Sequence, residues 1–432
     1  MTHLLSSITA PTGHMTAPSP FAGALGAILG AILLATLGCD GGSSSVSASG
    51  GTFGTGGSTT GTGSGGTAAQ SAVTSALGGA PVYPVGRTFV HPGALDGKAE
   101  LDYVKAQLAA GVEPWARQMA NMKSVEMLTV APAPQTTIDA NTSAAEAARN
   151  DARRAYGNAL AWYLLDDEIY AKQAVAYLNA WSGLQAITAK DEQNRLLGGW
   201  LGSLFGPAAD IMLGYSGWAA SDIEKLRSMF KLAFYPVLNS ASTWNGNVDL
   251  HQISAMMAIG VFNEDVGEFN LGLSRLDQRI PRYFYLTTDT QPSAGFWSNP
   301  AQWVNGLTQE TCRDNNHHAQ FGLSGAIGAM ETAWHQGVDV YSRYQERMVA
   351  ALELTGLQCS SGSMQGTCTD DVASPDVYDT WEIGYNHYHA RQGGDLPNTW
   401  AMISTKVRPA TSNPGAWSIF YETLTHADIK YP

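Results

Sequence analysis

The stretch Ala319-Gln-Phe-Gly-Leu-Ser-Gly-Ala-Ile-Gly-Ala-Met-Glu-Thr-Ala-Trp334 decides the fold class. Its residues Ala319, Leu323, Ala326, Met330 and Trp334 recur at a period of about 3.6, the repeat of one helical face rather than of a strand. The same signature spreads in both directions. Ser143-Ala-Ala-Glu146 and Ser221-Asp-Ile-Glu224 have the spacing of a capping box, in which serine accepts a backbone N–H and glutamate reaches back. Behind the first, Ala147, Tyr156, Leu160 and Tyr163 fall at near-helical intervals. Helices are expected near 97–110, 143–165, 168–182, 195–214, 221–235, 249–263, 266–284, 318–335, 339–356, 375–391 and 415–427. Alternating strands are scarce, and Phe284-Tyr-Leu-Thr-Thr288 is the best short candidate.

Successive helices over 81–432 are too many for a globin-like bundle, and they show no fixed repeat period of the kind a solenoid requires. A ring of helical hairpins, an all-α α/α toroid, fits the length as a single catalytic domain. Such a ring leaves a cleft at one end, lined by loops and helix N-termini.

Composition narrows the function. The chain has 432 residues, 44% hydrophobic and 14% charged, which excludes a disordered protein. A formal charge of -13 argues against a nucleic-acid partner. Four cysteines without a C-x-x-C pair exclude a disulfide-dense scaffold and a zinc ribbon.

The first 80 residues contain no Lys or Arg and one acid, Asp40. Phe21 to Gly38 is an uncharged apolar run ending at Cys39, and the small residues before a lone Cys resemble a lipoprotein export signal. Thr36 and Leu37 depart from that pattern. Residues 1–39 are therefore read as an export segment with Cys39 as lipidation point and membrane tether. Residues 40–80, rich in Gly, Ser and Thr, are read as a disordered linker. An exported domain can form disulfides. Cys359 and Cys368 bracket a short polar loop and are the expected pair, leaving Cys312 as a small buried thiol.

Polar and aromatic residues concentrate at Trp244–Gln252, Glu310–Gln320 and Trp381–Arg391. Each has an ordinary explanation alone: Asn and Asp before a helix act as caps, and Tyr385 and Tyr388 pack. His317-His318 has no acid at the H-E-x-x-H spacing, so neither metal nor cofactor is expected. Together, Asn, His, Arg and Tyr suit β-elimination on a uronic-acid polymer. The proton to be removed sits beside a carboxylate, and donors on that carboxylate let the developing charge spread onto its oxygens. A tyrosine can then take one proton and return it to the departing glycosidic oxygen.

Several segments resemble the alginate-lyase-like family of polysaccharide lyases. They are Phe89-Val-His-Pro-Gly-Ala-Leu95, Gly111-Val-Glu-Pro-Trp115, Leu178-Asn-Ala-Trp-Ser182, Asn245-Gly-Asn247 with Met256 to Phe262, Arg313-Asp-x-x-His317-x-x-Gln320 and Tyr385-Asn-His-Tyr388. The resemblance runs in order from about Val82 to the end. It departs at Val248, where Trp is usual, at Thr311-Cys312 and at Asn315-Asn316. It implies an α/α toroid that cleaves alginate or glucuronan without a required metal. It further implies that Asn247 with Asn245 and His317 neutralise the substrate carboxylate, and that Tyr385, with Tyr388 as the other choice, is base and acid. Glu310 and Arg313 would orient His317 and the sugar, while His251, His318, His387 and Arg391 would line the cleft. Two other readings stand beside a polyuronate lyase. One is a glycoside hydrolase using carboxylates among Asp314, Glu310, Glu382 and Asp379. The other is a non-catalytic glycan-binding lipoprotein.

Overall fold

Helical periodicity is realised almost throughout a computed structural model that describes residues 79–124, 130–244, 246–410 and 419–431. All of them belong to the unit Thr67–Pro432. The export segment with Cys39, nearly all of the linker, and Asn245 lie outside the described residues. Helices α1 (Lys98–Ala109) and α2 (Trp115–Lys123) lead into β1 (Thr137–Asp139), α3 (Ser143–Leu165), α4 (Glu168–Trp181), β2 (Ala186–Thr188) and α5 (Gln193–Met212). Helix α6 (Ala220–Met229) passes through a π-helical turn, Phe230–Phe234, into α7 (Tyr235–Leu238). Helices α8 (Gly246–Phe262), α9 (Val266–Tyr283), α10 (His317–His335) and α11 (Gln345–Ser361) follow. Helix α12 (Glu382–Tyr385) continues as a π-helical turn, Asn386–Arg391, and α13 (Pro397–Met402) as another, Ile403–Val407, before α14 (Glu422–His426).

The helices packed side by side form a closed ring. Helix α3 packs on α5, α5 on α8 and α8 on α10; α10 then meets α12, α12 meets α14, α14 meets α1, and α1 returns to α3. Outside this ring, α4 backs α3 and α9 backs α8. This is the expected α/α toroid.

Glycine contacts set the direction of the inner helices. A Cβ on Gly199, Gly202 or Gly206 of α5 would meet His251, Ala255 or Ala258 of α8, and one on Gly325 or Gly328 of α10 would meet Leu250 or Ser254. The pairings ascend together, so α5, α8 and α10 run parallel and begin at one end of the ring. Helix α8 is buried at every residue, as a helix at the centre of a large core must be. Its polar residues are matched to that setting. Asp249 pairs with Arg275 and Arg279, and the Gln252 amide donates to the Val237, Leu238 and Ser240 carbonyls at the end of α7.

The opposite end is closed by charge and by the N-terminal strap. Tyr83 stacks on Phe89 at 4.6 Å and both meet Phe269 edge-on. The Gly93 and Ala94 amides donate to Asp210 on α5, while Gln336 just past α10 holds Val90. Beside the strap, the Arg391 guanidinium sits between two buried carboxylates, 2.6 Å from Glu331 and 2.9 Å from Glu100, with His335 against both.

Several local expectations are corrected. Both capping-box helices form, but neither serine caps; Ser143 is already inside α3, and α6 starts at Ala220 after an uncapped Ala219. At the N-cap position itself, Asp167 of α4 and Asp265 of α9 have carboxylates that satisfy first-turn N–H groups. Helices α2 and α13 are not among the expected elements, and the segment 375–391 becomes helical only at Glu382. Phe284 makes one isolated bridge, to Thr308, whereas the two short strands β1 and β2 pair in parallel. Among the described residues no helix is long and apolar enough to cross a membrane.

Two outcomes test this description. Gly325→Ala places a methyl carbon 2.9 Å from the Leu250 carbonyl carbon and 3.0 Å from the His251 nitrogen. Helix backbones must separate to admit it, so thermal or chemical denaturation should show a loss of about 1–3 kcal/mol. At the far end, burial opposes ionisation of Glu100, but His335 and Arg391 outweigh it and hold its carboxyl down from 4.5 to about 2. That contribution is fully present above pH 4.5 and is lost as pH falls through about 2. Glu100→Gln should therefore lower stability at neutral pH and flatten the acid limb of a melting-temperature profile.

Candidate active site

The N-terminal ends of α8 and α10 meet at a buried carboxylate. Glu310, 1% exposed, accepts the Asn247 side-chain amide at 2.7 and 2.8 Å, the Asn247 backbone amide at 3.2 Å, the Tyr283 hydroxyl at 2.8 Å and the Arg313 guanidinium at 2.8 Å. A buried charge survives only when its acceptor sites are filled in this way. The cluster fixes the start of α8 against the loop that enters α10. It also turns the Asn247 side-chain amide toward Glu310.

Asn315 and Asn316 adopt left-handed backbone conformations just before α10, which Asn tolerates better than most residues. Neither caps the helix. Asp314 does so instead, accepting the His318 amide at 3.0 Å while its other oxygen holds His318 Nδ1. Burial alone would raise the Asp314 carboxyl, but the hydrogen bond and charge of His318 outweigh it and keep it below the usual range.

His317 stands at the centre of this cluster. Its Nδ1 lies 2.9 Å from Asp376, and its side chain is 32% exposed. The Tyr378 hydroxyl is 3.3 Å from both ring nitrogens and 3.3 Å from Asp376. Burial, then the Asp376 carboxylate, push the Tyr378 phenol well above its ordinary value, so it holds its proton at neutral pH. Gln320, one turn along α10, clamps this segment: its amide donates to the Asp376 carbonyl at 3.1 Å and its oxygen accepts the Tyr378 amide at 3.3 Å. Phe321 packs against the rings of His317, His318 and Tyr378.

The remaining expected residues are placed as follows. Arg313 and His318 belong to the cluster, with side chains 38% and 28% exposed. His251 does not line the surface; it is fully buried between Trp200 and Phe321, and its ring nitrogens have no hydrogen-bond partner among the described residues. Burial and the neighbouring His318 lower it to about 3, so it is neutral.

Tyr385 is not brought to His317. Its ring stacks on His389 and Trp400, and its neighbour Gly384 packs on Ile327, ten residues along α10, about 15 Å of helix rise away. Tyr388 is buried against Tyr341, with its hydroxyl on the Tyr341 carbonyl. His387 and Arg391 belong to the far-end charge cluster, where His387 stacks on Tyr341 and contacts Arg391 at 2.8 Å.

The disulfide is also corrected. Cys312 bonds Cys368, and Cys359 is a free buried thiol on α11. Cys359 sits near the end of α11 and faces the core, whereas Cys368 returns in the loop beyond it.

Sequence reasoning missed Tyr378, Asp376 and Tyr283, and also an aromatic and cationic wall. Arg149 and Arg153, one turn apart on α3, lie over Trp200 and Phe420 at 5.5 and 5.6 Å. Burial and Arg153, against the pull of Glu146, lower Arg149 to about 10. The spacing Tyr378-x-x-x-x-x-x-Tyr385 offered a second tyrosine to weigh, but only the fold shows which one reaches α10.

No family model and no curated protein matches the sequence. Solved structures do match in fold. An alginate lyase from Bacteroides ovatus aligns with a TM-score of 0.55 at 12% identity, over 79% of this chain and 100% of that one. A tyrosine-to-phenylalanine variant of alginate lyase A1-III complexed with tetrasaccharide aligns at 0.54 and 14% identity, over 71% and 90%. A histidine-to-alanine variant of the same enzyme, also with tetrasaccharide, aligns at 0.53 and 13%, over 72% and 91%. The chain shares the α/α-toroid fold of these alginate lyases.

Replacing Asp376 tests the electrostatics independently of any substrate. Its carboxylate helps raise the Tyr378 phenol. In Asp376→Asn the phenol should therefore titrate closer to the ordinary value of about 10, as read by carbon NMR of labelled tyrosine.

Proposed function

We propose that this protein is a polysaccharide lyase that cleaves uronic-acid polymers such as alginate or glucuronan by β-elimination, with His317 as base and Tyr378 as acid. The observation that carries the reading is the Asp376–His317–Tyr378 arrangement. A proton on Nδ1 directed at Asp376 would leave the Nε2 lone pair facing outward, the same orienting logic that a carboxylate supplies in a Ser-His-Asp triad. Nε2 takes the proton from C5 of the uronate, the C–H electrons form the C4=C5 double bond, and the C4–O bond breaks. The Tyr378 hydroxyl, kept protonated by its raised pKa, gives its proton to the departing oxygen. Imidazolium and phenolate then stand 3.3 Å apart, so one proton transfer between them restores both.

The carboxylate beside C5 needs donors in the transition state. Arg313 and His318 are the partly exposed donors on the same rim. Arg149 and Arg153 extend the cationic surface for the rest of an anionic chain. The fold is consistent with this reading, since two solved toroids of alginate lyase A1-III hold a tetrasaccharide in variants altered at a histidine or a tyrosine. The apolar run before Cys39 supports an exported, envelope-tethered enzyme.

A hydrolase requires two carboxylates facing a scissile bond. Those considered are engaged otherwise: Glu310 by the Asn247 cluster, Asp314 by His318, Glu382 by Arg408 and Asp379 by the Tyr421 amide.

The test is the ultraviolet absorbance of the conjugated product on alginate, polymannuronate, polyguluronate and glucuronan. Tyr378→Phe should lower kcat by about 10²–10⁴ while polymer binding persists. Tyr385→Phe should retain turnover. New reducing ends without the absorbance would mean hydrolysis, and an active Tyr378→Phe would remove the proposed acid.

A further inference from the structure

The disulfide lies between the two segments that carry the acid–base pair. Cys312 precedes His317 by five residues, in the same loop as Glu310, Arg313 and Asp314. Cys368 precedes Asp376 by eight and Tyr378 by ten. The stretch from the end of α11 to Asp376 has little core of its own. Its buried apolar cluster consists of Met364, Cys368 and Ala373, with Cys312 packed against them. Beyond the covalent bond, its first turn is held by the Gln358 amide of α11 on the Met364 carbonyl and Thr367 hydroxyl. It is attached to the His317 side by the Ser374 amide on the Asn315 carbonyl, the Asn315 and Asn316 side chains on Asp370 and Met364, the His317–Asp376 contact and the Gln320 clamp. The Ala301 and Gln302 amides on the Thr367 carbonyl hold its outer edge. Hydrogen bonds of this kind in a partly exposed loop open readily when the chain around them is free.

We propose that Cys312–Cys368 is a positioning element of the acid–base pair, so that turnover requires the oxidised bond. Cys312 and Cys368 touch no reacting atom; they act by holding the Asp376–Tyr378 segment against α10. Displacing a reacting group by about 1 Å is enough to cost on the order of 100-fold in rate. Because Cys312 is only half-buried, a small dithiol can reach the bond. One reagent thiolate attacks a cysteine sulfur, the S–S bond breaks and the other cysteine leaves as a thiolate that takes up a proton. The second reagent thiol then resolves the mixed disulfide, so the protein ends with two thiols and the reagent with a cyclic disulfide.

The proposal rests on the reading of His317 and Tyr378 as base and acid, and its test separates the two. Oxidised wild type, dithiol-reduced wild type and C312S/C368S are compared by circular dichroism, by kcat and KM on polyuronate, and by NMR titration of the His317 ring. The expected result is an intact helical signature with kcat lower by about 10–100-fold in the reduced protein and in the double variant. KM should change by less than about threefold, because His318 stays on α10 and Arg149 and Arg153 stay on α3. The His317 titration should shift in both, and reoxidation should restore the wild type. Cys359→Ala should respond to the dithiol as wild type does, since that thiol forms no bond. If the double variant fails to fold, reversible reduction of the folded wild type decides the matter. An unchanged kcat on reduction, or an unmoved His317 titration, overturns the proposal. Absence of turnover on every polyuronate in the oxidised wild type would instead overturn the lyase reading, leaving the titration to judge the disulfide.

Discussion

The contact on which the rest depends is the grip of two glycines on one turn of α8. Gly199 of α5 and Gly325 of α10 press the backbone at Leu250–Gln252 from two sides, each so closely that a Cβ would lie under 3.0 Å from a backbone carbon. That contact fixes the inner helices both in spacing and in level. Because the three helices run parallel at this level, their first turns arrive together at one end of the ring. Trp200, Asn247 and His317 share that end for this reason, although the sequence separates them widely. His251, clasped at this level, has no room to reach the surface, which explains why a histidine one turn from Asn247 is neutral and buried.

The same residue types serve opposite purposes at the two ends. At the far end Glu100, Glu331, Arg391, His335 and His387 form a sealed network, with Tyr341 donating to Glu331 at 2.8 Å. Removing one member leaves an uncompensated buried charge, so the network holds α1, α10 and the turn after α12 together as a unit. At the near end Glu310, Arg313, Asp314, His317, His318 and Asp376 are also paired, but their histidines and arginine stay partly open to solvent. What separates the two clusters is this exposure, which the identities of the residues do not encode.

That distinction explains what could and could not be read from the chain. Helix existence follows from local periodicity, so α3, α4, α5, α8, α9 and α10 are legible nearly to their ends. The motif Arg313-Asp-x-x-His317-x-x-Gln320 is also legible, because all of its members lie within two turns of one helix start. Arg391 and His387 are misplaced by sequence reasoning because a cleft and a buried ion network draw on the same composition. The cysteine pairing misleads because a short polar loop between Cys359 and Cys368 suggests local closure. Cys359, however, lies on the helical face turned to the core, and Cys368 finds its partner across a separation of 56 residues. The serine caps fail because α3 and α6 start one and two residues earlier than a capping serine would set them.

Tyr378 shows why the phenol beside His317 comes from a loop rather than from the helix that follows it. Along α12 and its π-helical continuation, side chains must pack against α10 on one side and α13 and α14 on the others, and Tyr385 fills such a position beside Trp400. A helix anchored at Gly384 against Ile327 is too far along α10 to place any of its residues over His317. The extended segment before it has the reach, but no periodic structure to fix it. Gln320 supplies that order from the rigid helix, accepting from Tyr378 and donating to Asp376, so the loop borrows its geometry from α10. Its place in the motif is thus explained by backbone recognition rather than by contact with substrate. The phenol and imidazole remain 3.3 Å apart because both are referenced to the same helical turn.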